Sequence, residues 1–247
     1  MTRDILVTGG GTGIGRAVAR HFAEAGDRVV VTGRRPEPLA ATAREIGARA
    51  VVCDHTDPGA LAALLGELPA TIDVLVNNAG GNTDFDDAGQ DAGAEGTEAD
   101  LASCARAYRA NLDANLLTAV LTTRAVADRL AAGGSVVQIG SIAADQGAGS
   151  YGAAKAALAA WNVDVATELG ARDVTANVVS PGYTGETEFF RDRLSATRRE
   201  QLVAATAIGR AGSPEDIAAA VAFLASPGAR HLTGQVLQVN GGAHRTR

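Results

Sequence analysis

A tyrosine and a lysine four residues apart are the residues of this sequence best suited to acid–base chemistry. Lys155 is the only lysine in the chain, and every other cationic side chain at neutral pH is an arginine. On a helix, Tyr151 and Lys155 would share one face. An ordinary tyrosine pKa near ~10 is too high for a general base, and a nearby ammonium would lower that pKa. The pair predicts a lysine-assisted tyrosine, although a surface pair on an amphipathic helix would have the same spacing.

A glycine-rich loop follows the first predicted strand. Residues 5–7 are apolar, residues 8–15 read Thr-Gly-Gly-Gly-Thr-Gly-Ile-Gly, and a helical pattern then runs to residue 25. Glycines let a backbone approach a pyrophosphate closely, and the helix N-terminus offers free N–H groups and the positive end of its dipole. This strand, loop and helix predict a nucleotide-binding site; the alternative is a flexible turn.

The end of the second predicted strand, residues 28–32, bears on which nucleotide binds. NAD sites place an acidic residue there for the ribose hydroxyls, but here Gly33 is followed by Arg34 and Arg35. A guanidinium can bind a 2′-phosphate through charge-assisted hydrogen bonds. We expect NADP(H) to be preferred and NAD(H) to remain possible, with Arg34 as the main phosphate partner. The alternative is two solvated charges opening the helix predicted over residues 38–46.

Polar residues also follow the third and fourth predicted strands, at residues 50–53 and 72–76. Asp54 could accept a hydrogen bond from an adenine amino group or cap the next helix, a role that Asp57 fits better. The run Asn-Asn-Ala-Gly at residues 77–80 could contact a cofactor or link neighbouring strands.

Strands and helices alternate along the whole sequence. Three more strands are predicted at residues 135–139, 173–179 and 235–239, and the longest helical pattern runs from about residue 101 to 131. The 247 residues are 46% hydrophobic and contain no internal repeat. We therefore predict an α/β protein, one Rossmann-fold domain over residues 1–247, with a doubly wound seven-stranded parallel sheet and helices on both faces.

Two segments depart from this alternation. Residues 81–100 contain seven carboxylates and no lysine or arginine, and we expect a flexible acidic loop. Residues 184–212 follow the sixth strand and include a charged helical pattern at 189–206. We expect this second segment to form a lid on the substrate side.

Composition argues against several classes of function. The net charge is −6 with no strongly basic stretch, which disfavours nucleic-acid binding. Cys53 and Cys104 lack metal-ligand spacing, so we expect no metal and a reduced, cytoplasmic protein. No apolar run reaches the length of about 18 residues that suggests a membrane span, and no signal peptide is recognised at the start.

The order of these motifs resembles the short-chain dehydrogenase/reductase family over essentially the whole chain. The resemblance rests on the glycine loop, residues 77–80, the Tyr-x-x-x-Lys pair and a Pro-Gly after the sixth strand. It implies hydride transfer between a nicotinamide and a carbonyl or secondary alcohol of a small molecule. The implied catalytic residues are Asn115, Ser141, Tyr151 and Lys155. The implied cofactor residues are Thr8, Gly9, Gly11, Thr12, Gly13, Ile14, Gly15, Arg34, Arg35, Asp54, Asn78, Ala79, Gly80, Tyr151, Lys155, Pro181, Gly182 and Thr184.

The resemblance also assigns roles to the catalytic residues. Tyr151 would be the general acid/base, and Lys155 would lower its pKa and bind the ribose. Ser141 would orient the substrate carbonyl, and Asn115 would hold a water of the proton relay, with Asn111 as the weaker candidate. Ser141 lies ten residues before Tyr151, a shorter spacing than many members have. The shorter loop bears on what binds.

Three readings of function remain, together with an expected assembly. A 3-oxoacyl-[acyl-carrier-protein] reductase is the first alternative: Arg172 and the arginines of 191–199 could meet an acidic carrier, but residues 130–135 contain no basic residue. A non-catalytic nucleotide-binding regulator is the second, which the presence of both Tyr151 and Lys155 disfavours. The small residues of the two helices near the site favour a homo-oligomer, a tetramer by the resemblance.

Overall fold

The computed structural model describes residues 2–85, 97–190 and 193–246. Within these residues seven strands form one parallel sheet in the order β3-β2-β1-β4-β5-β6-β7. The order reverses direction between β1 and β4, which confirms the predicted doubly wound sheet. The strands are β1 (Asp4–Thr8), β2 (Arg28–Gly33), β3 (Arg49–Val52), β4 (Ile72–Asn77), β5 (Leu130–Ile139), β6 (Thr175–Pro181) and β7 (Val236–Val239).

Helices cover both faces of this sheet, as predicted. Phe22, Leu39 and Ile217 pack on one face, whereas Leu64 and Val165 pack on the other. The strands between them are apolar on both sides, as expected for a parallel sheet buried between two helical layers. The helices are α1 (Gly13–Glu24), α2 (Pro36–Ile46), α3 (Pro58–Glu67), α4 (Thr97–Leu112), α5 (Thr118–Val126), α6 (Ala143–Gln146), α7 (Gly149–Gly170), α8 (Ala196–Ala204) and α9 (Pro214–Leu224).

The long helix predicted over residues 101–131 is divided in two. A single π-helical turn at Asp113–Leu117 separates α4 from α5. The amide Nδ2 of Asn115 donates to the backbone oxygen of Asn111 at 3.0 Å, a carbonyl that an α-helix would give to a backbone N–H. The polar side chain thus replaces one helical hydrogen bond and interrupts the helix.

The segments predicted at residues 81–100 and 184–212 both differ from the sequence prediction. Thr97–Asp100, assigned to the acidic loop, form the first turn of α4. The flexible part expected at residues 86–96 lies outside the described residues. The helix predicted over 189–206 is shorter, because α8 begins only after Ser195, whose hydroxyl accepts from the Arg198 N–H at 3.1 Å and caps the helix.

One buried histidine links three elements of the fold. His55 follows β3, and its Nε2 lies 2.8 Å from the hydroxyl of Thr32 in β2. Its Nδ1 lies 2.7 Å from the hydroxyl of Thr122 in α5. The Thr122 hydroxyl donates to the Thr118 carbonyl, so it can only accept from His55. The Nδ1 atom therefore carries a proton. Because burial lowers the pKa of His55 to about 4, the ring is neutral near pH 7 and accepts from Thr32 at Nε2.

Candidate active site

Strand β5 and helix α7 bring together the three predicted residues that could carry acid–base chemistry. Ser141 follows the carboxyl end of β5 and lies near enough to Tyr151 on α7 to influence the pKa of the phenol. Lys155 lies one turn further along α7, and its Nζ is 5.9 Å from the centre of the Tyr151 ring. Tyr151 and Lys155 are both buried, with exposed fractions of 7% and 5%. The four-residue spacing places both side chains at one site, as predicted.

Burial controls the electrostatics of this group. Removal from water raises the pKa of Tyr151 to about 12, and the Ser141 hydrogen bond opposes that rise only in part. Removal from water also lowers the pKa of Lys155 to about 8. The expected lowering of the tyrosine pKa is therefore reversed. The lysine Nζ is directed to the Ile139 carbonyl, to which it donates at 2.8 Å, and does not hydrogen-bond to the phenol.

The short connection between Ser141 and Tyr151 is tightly folded. It contains helix α6, whose first backbone N–H, that of Ala143, donates to the Ser141 hydroxyl at 3.2 Å. Gly152 packs so closely on this turn that an added Cβ would lie 2.7 Å from the Ala143 oxygen. The shortened loop therefore lies directly against the start of α7 and fixes Ser141 beside Tyr151.

Asn115 anchors the chain that leaves β4. Its Oδ1 accepts from the Gly81 N–H at 3.1 Å, and its Nδ2 donates to the Gly81 carbonyl at 2.9 Å. Gly80 has φ +152° and would place a Cβ 2.6 Å from Asn115 Oδ1, so only glycine fits there. The Asn115 side chain is thus engaged with protein groups.

Asn111 makes a second set of contacts that the sequence did not indicate. Its Nδ2 donates to Asp84 Oδ1 and to Ser150 Oγ, each at 2.8 Å. The Ser150 hydroxyl in turn donates to the same Asp84 oxygen at 2.7 Å. Asn111, Ser150 and Asp84 therefore tie α4 and the start of α7 to the segment after β4, immediately beside Tyr151.

Two residues predicted to bind the cofactor, Thr8 and Asn78, support the glycine loop through side-chain hydrogen bonds. The Thr8 hydroxyl accepts from the N–H groups of Asn78 and Ala79 at 3.0 and 2.9 Å. The Asn78 amide donates to the carbonyls of Thr8 and Gly9 at 3.1 and 3.0 Å. Thr8 and Asn78 thus use their side chains to join the ends of β1 and β4, which is the structural alternative considered for residues 77–80.

The loop itself has the shape that a pyrophosphate requires. Gly9 and Gly13 have positive φ values of 65° and 51°, and a Cβ on Gly15 would lie 2.2 Å from the Gly9 oxygen. The first turn of α1, which includes Ile14, has no acidic residue. Its backbone N–H groups and positive dipole end therefore suit an anion, and the residues present fit the phosphates of a dinucleotide.

The two arginines after β2 differ in their contacts. Arg35 Nη2 donates to the Thr12 hydroxyl at 3.2 Å and to Glu188 Oε2 at 2.8 Å, so Arg35 extends across the glycine loop. Arg34 acts electrostatically on Asp54. Asp54 Oδ1 accepts from the N–H and hydroxyl of Thr56, and these hydrogen bonds lower the Asp54 pKa. Its carboxylate is thus partly engaged in a turn.

Helix α3 is capped by the residue that the sequence favoured for this position. Asp57 accepts from the Gly59 N–H at 2.7 Å, which confirms it as the cap.

Gly11 packs against the start of α2, where an added Cβ would lie 3.1 Å from the backbone nitrogen of Leu39. The glycine loop is therefore supported by α2 as well as by β4.

The segment after β6 extends from the sheet to the glycine loop. The Pro181 carbonyl accepts from the Ile142 N–H at 3.0 Å, and a Cβ on Gly182 would lie 2.7 Å from that of Asn240. Thr184 is buried, and its hydroxyl donates to the Gly182 carbonyl at 3.3 Å. Thr187 approaches Gly13, where an added Cβ would lie 3.5 Å from the threonine methyl carbon. Thr187, in the segment predicted as a lid, therefore lies close to the glycine loop.

One aromatic ring contacts Tyr151 and belongs to a cluster of rings that the sequence analysis did not identify. Phe189 lies 5.4 Å from the Tyr151 ring, between centroids, and 5.0 Å from Phe190. Phe85 is 6.1 Å from Phe189, and Tyr183 is 5.9 Å from Phe190. An adjacent Phe pair in a chain with only 4% aromatic residues was the available signal.

The described parts of the chain show neither a membrane span nor a metal cluster. No helix within residues 2–85, 97–190 and 193–246 is both long and apolar enough to cross a bilayer. In the same ranges, no three histidine, cysteine, aspartate or glutamate side chains are grouped where they could hold a metal ion.

Comparison with known proteins gives the family. Residues 9–244 match a family model described as enoyl-(acyl carrier protein) reductase. A Mycobacterium tuberculosis protein named as an oxidoreductase is 36% identical over 244 residues, which are 97% of each chain. The 3-oxoacyl-[acyl-carrier-protein] reductase of Escherichia coli is 34% identical over 253 residues, covering 97% of this chain and 96% of the relative.

Solved structures agree with the sequence relatives. A short-chain type dehydrogenase/reductase from Mycobacterium ulcerans is 30% identical with a TM-score of 0.84, covering 98% of this chain and 89% of that one. A blue fluorescent protein from a metagenomic library, solved in complex with NADPH, is also 30% identical, with a TM-score of 0.81 and 98% of each chain covered. The chain therefore belongs to the short-chain dehydrogenase/reductase family and is an oxidoreductase of the type that acts on CH–OH groups.

Proposed function

We propose that this enzyme transfers a hydride between NADP(H) and the carbonyl or secondary alcohol of a small molecule, with Tyr151 as its general acid/base. The observation that carries the proposal is the placement of buried Tyr151 and Lys155 on one face of α7, with Lys155 Nζ 5.9 Å from the Tyr151 ring and Ser141 beside them at the carboxyl end of β5. Open α/β sheets bind their ligands at this edge. The glycine loop at the end of β1 supports a dinucleotide at the same edge.

The proposed chemistry follows from the protonation state of Tyr151. With its pKa raised to about 12, Tyr151 is a neutral phenol at neutral pH and can give its proton to a carbonyl oxygen. Ser141 would hold that oxygen by a hydrogen bond, and the Lys155 ammonium would stabilise the phenolate that remains. The nicotinamide, when bound, supplies the hydride for reduction. We retain the proposal that Asn115 holds a water of the proton relay.

The cofactor preference rests on the end of β2. Gly33 brings no carboxylate to repel a 2′-phosphate, and Arg34 and Arg35 can both donate to one. The related metagenomic protein that binds NADPH supports NADP(H) for this chain. We propose NADP(H) as the preferred cofactor and keep NAD(H) as a possible second. We also propose that the other residues named in the sequence analysis, from Thr8 to Thr184, bind the cofactor. Thr8 and Asn78 would act indirectly, through the glycine loop that they support.

A 3-oxoacyl-[acyl-carrier-protein] reductase is the second candidate, favoured by the 34% identity to the Escherichia coli enzyme. One of the arginines considered for the acidic carrier has another use. Arg172 donates to the backbone carbonyls of Ala127 and Leu130, at 2.6 and 3.1 Å, and braces the chain there. This observation weakens the carrier reading. A non-catalytic regulator is the least supported reading, because the residues for chemistry are present together.

Assembly, domain count and location are also proposals. We propose one domain over residues 1–247, residues 184–212 as a lid, a homotetramer and a cytoplasmic location. Large apolar side chains exposed on α4, α7 and β7 support two subunit interfaces. These side chains are Leu101, Tyr108, Val163 and Val236.

The test is a steady-state assay of NADPH and NADH oxidation with a panel of small ketones and one 3-oxoacyl thioester. We expect turnover of at least one ketone and faster turnover with NADPH. Turnover of the thioester alone would select the second candidate. Nucleotide binding without turnover of any carbonyl compound, in either direction, would contradict the proposed function.

A further inference from the structure

Most aromatic residues of this chain lie around one point. The sequence contains nine Phe, Tyr and Trp residues. One of them is the proposed acid/base itself. Four others form a ring cluster with it: Phe85, Tyr183, Phe189 and Phe190. Such a concentration in an aromatic-poor chain requires an explanation beyond core packing.

The cluster is built from both sides of the catalytic strand. Phe85 follows β4, whereas Phe189 and Phe190 follow β6, and these strands flank β5 in the sheet. The two segments therefore meet at the contact of Phe85 with Phe189, and Phe189 brings the cluster against Tyr151. Centroid distances of 5.0 to 6.3 Å and tilted or edge-on planes are the geometry in which aromatic rings attract one another.

The four added rings are half-buried, so part of each remains available to a ligand. Fully buried core residues such as Phe22 differ in this respect. Phe189, which contacts Tyr151, offers a face or an edge to whatever reaches the Tyr151 hydroxyl. Phenyl groups offer almost no hydrogen bonds, which suits an apolar ring and does not suit a polyol.

The segments that carry Phe85 and Phe189 also contain acidic residues, which bear on the charge of the substrate. Asp84 precedes Phe85, and Glu186 and Glu188 precede Phe189. Asp84 is held by Ser150 and Asn111, and Glu188 by Arg35. The charge of Glu188 is offset by Arg35, but the partners of Asp84 are uncharged, so the Asp84 carboxylate disfavours an anionic substrate because like charges repel.

We propose that the substrate is an uncharged ketone or secondary alcohol bearing an aromatic ring, which packs against Phe189 and Phe190 while its oxygen reaches Ser141 and Tyr151. This inference rests on the proposed function and specifies its substrate class. The rings then act as a binding subsite for the part of the substrate that does not react.

The test compares acetophenone, cyclohexyl methyl ketone and 2-butanone as substrates with NADPH. We expect the highest kcat/KM for acetophenone. Phe189→Leu and Phe190→Leu should each lower the ratio of acetophenone to 2-butanone kcat/KM by roughly two- to tenfold, the range for one aromatic pair. Phe223→Leu is the matched control, because Phe223 lies on α9 and is 49% exposed, and it should leave the ratio unchanged.

A second readout does not depend on turnover. Ligand-observed NMR should detect acetophenone binding to the free protein, weakened in Phe189→Leu and unaltered in Phe223→Leu. Turnover of 2-butanone without any preference for acetophenone would overturn the inference and leave the proposed function standing. An unchanged ratio in both Phe189→Leu and Phe190→Leu would also overturn it. No turnover of any ketone with either nucleotide would overturn both.

Discussion

The buried His55 gives a prediction about acid stability that can be worked out from its contacts. Burial lowers the pKa of His55 from 6.5 to about 4, and the ring can accept a hydrogen bond from the Thr32 hydroxyl only while it is neutral. In the unfolded chain the ring regains its ordinary pKa. Between these two pKa values the unfolded state binds a proton that the folded state does not, so stability falls as the pH falls through this window.

The size of this loss of stability follows from the difference between the pKa values of His55 in the folded and unfolded states. Above about pH 6.5 neutral His55 makes its full contribution to the free energy of unfolding. At about pH 5 this free energy has fallen by roughly 2 kcal/mol, and the loss levels off near ~3 kcal/mol below pH 4. The informative variant is His55→Gln, whose amide can still donate towards Thr122 and accept from Thr32 but cannot take up a proton in this range. We expect this variant to lack the loss of about 2 kcal/mol between about pH 7.5 and pH 5.

The assay is urea unfolding of the two proteins at both pH values, at one fixed protein concentration because assembly would shift the midpoint. Other groups contribute equally to both proteins and cancel in the comparison. His231→Gln, which removes an exposed histidine, is the control and should behave as the wild type. An equal loss of stability in wild type and His55→Gln would refute the reasoning.

Three further predictions concern the active site. Tyr151→Phe should lower kcat by roughly 10² to 10⁴ while NADPH affinity by fluorescence titration is retained, because only the proton donor is lost; wild-type kcat would remove Tyr151 from the mechanism. Arg34→Ala and Arg35→Ala should each weaken NADPH binding roughly ten- to a hundredfold and NADH binding little, measured by paired titrations; equal losses for both nucleotides would show that neither arginine reads the 2′-phosphate. Gly15→Ala should lower both stability and NADPH affinity because its Cβ would lie 2.2 Å from the Gly9 oxygen, whereas Gly66→Ala, with nothing within 4 Å, should be neutral or stabilising by up to ~1 kcal/mol; tight NADPH binding by Gly15→Ala would contradict the role of this close approach.

The sheet could be predicted because its signals are local. Each parallel strand is an apolar run that ends in polar or glycine residues, and some helix starts carry a local cap, as at Asp57 and at Ser213, which caps α9. The Asn115 side chain in the π turn also hydrogen-bonds to Gly81, a residue 34 positions away in sequence. No pattern within the helix could indicate that partner.

The proximity of Tyr151 and Lys155 could be predicted from the sequence, whereas their pKa values could not. Spacing alone put Tyr151 and Lys155 on one face of a helix. Their pKa values depend on how much water the fold removes and on where the ammonium points, and Lys155 points to the Ile139 carbonyl. The aromatic cluster was missed for the same reason, since Phe85 and Phe189 are distant in sequence and meet only through the order of the strands.

The single lysine gives this protein an unusual response to amine-directed reagents. Lysine is the side chain that acetylating and related reagents modify, and here a chain of 247 residues offers one, 5% exposed and with its pKa lowered to about 8. In the folded protein that amine is shielded, whereas in the unfolded chain it is open to the reagent. Acylation of Lys155, located by mass analysis of peptides from the digested protein, would therefore record opening of the candidate active site.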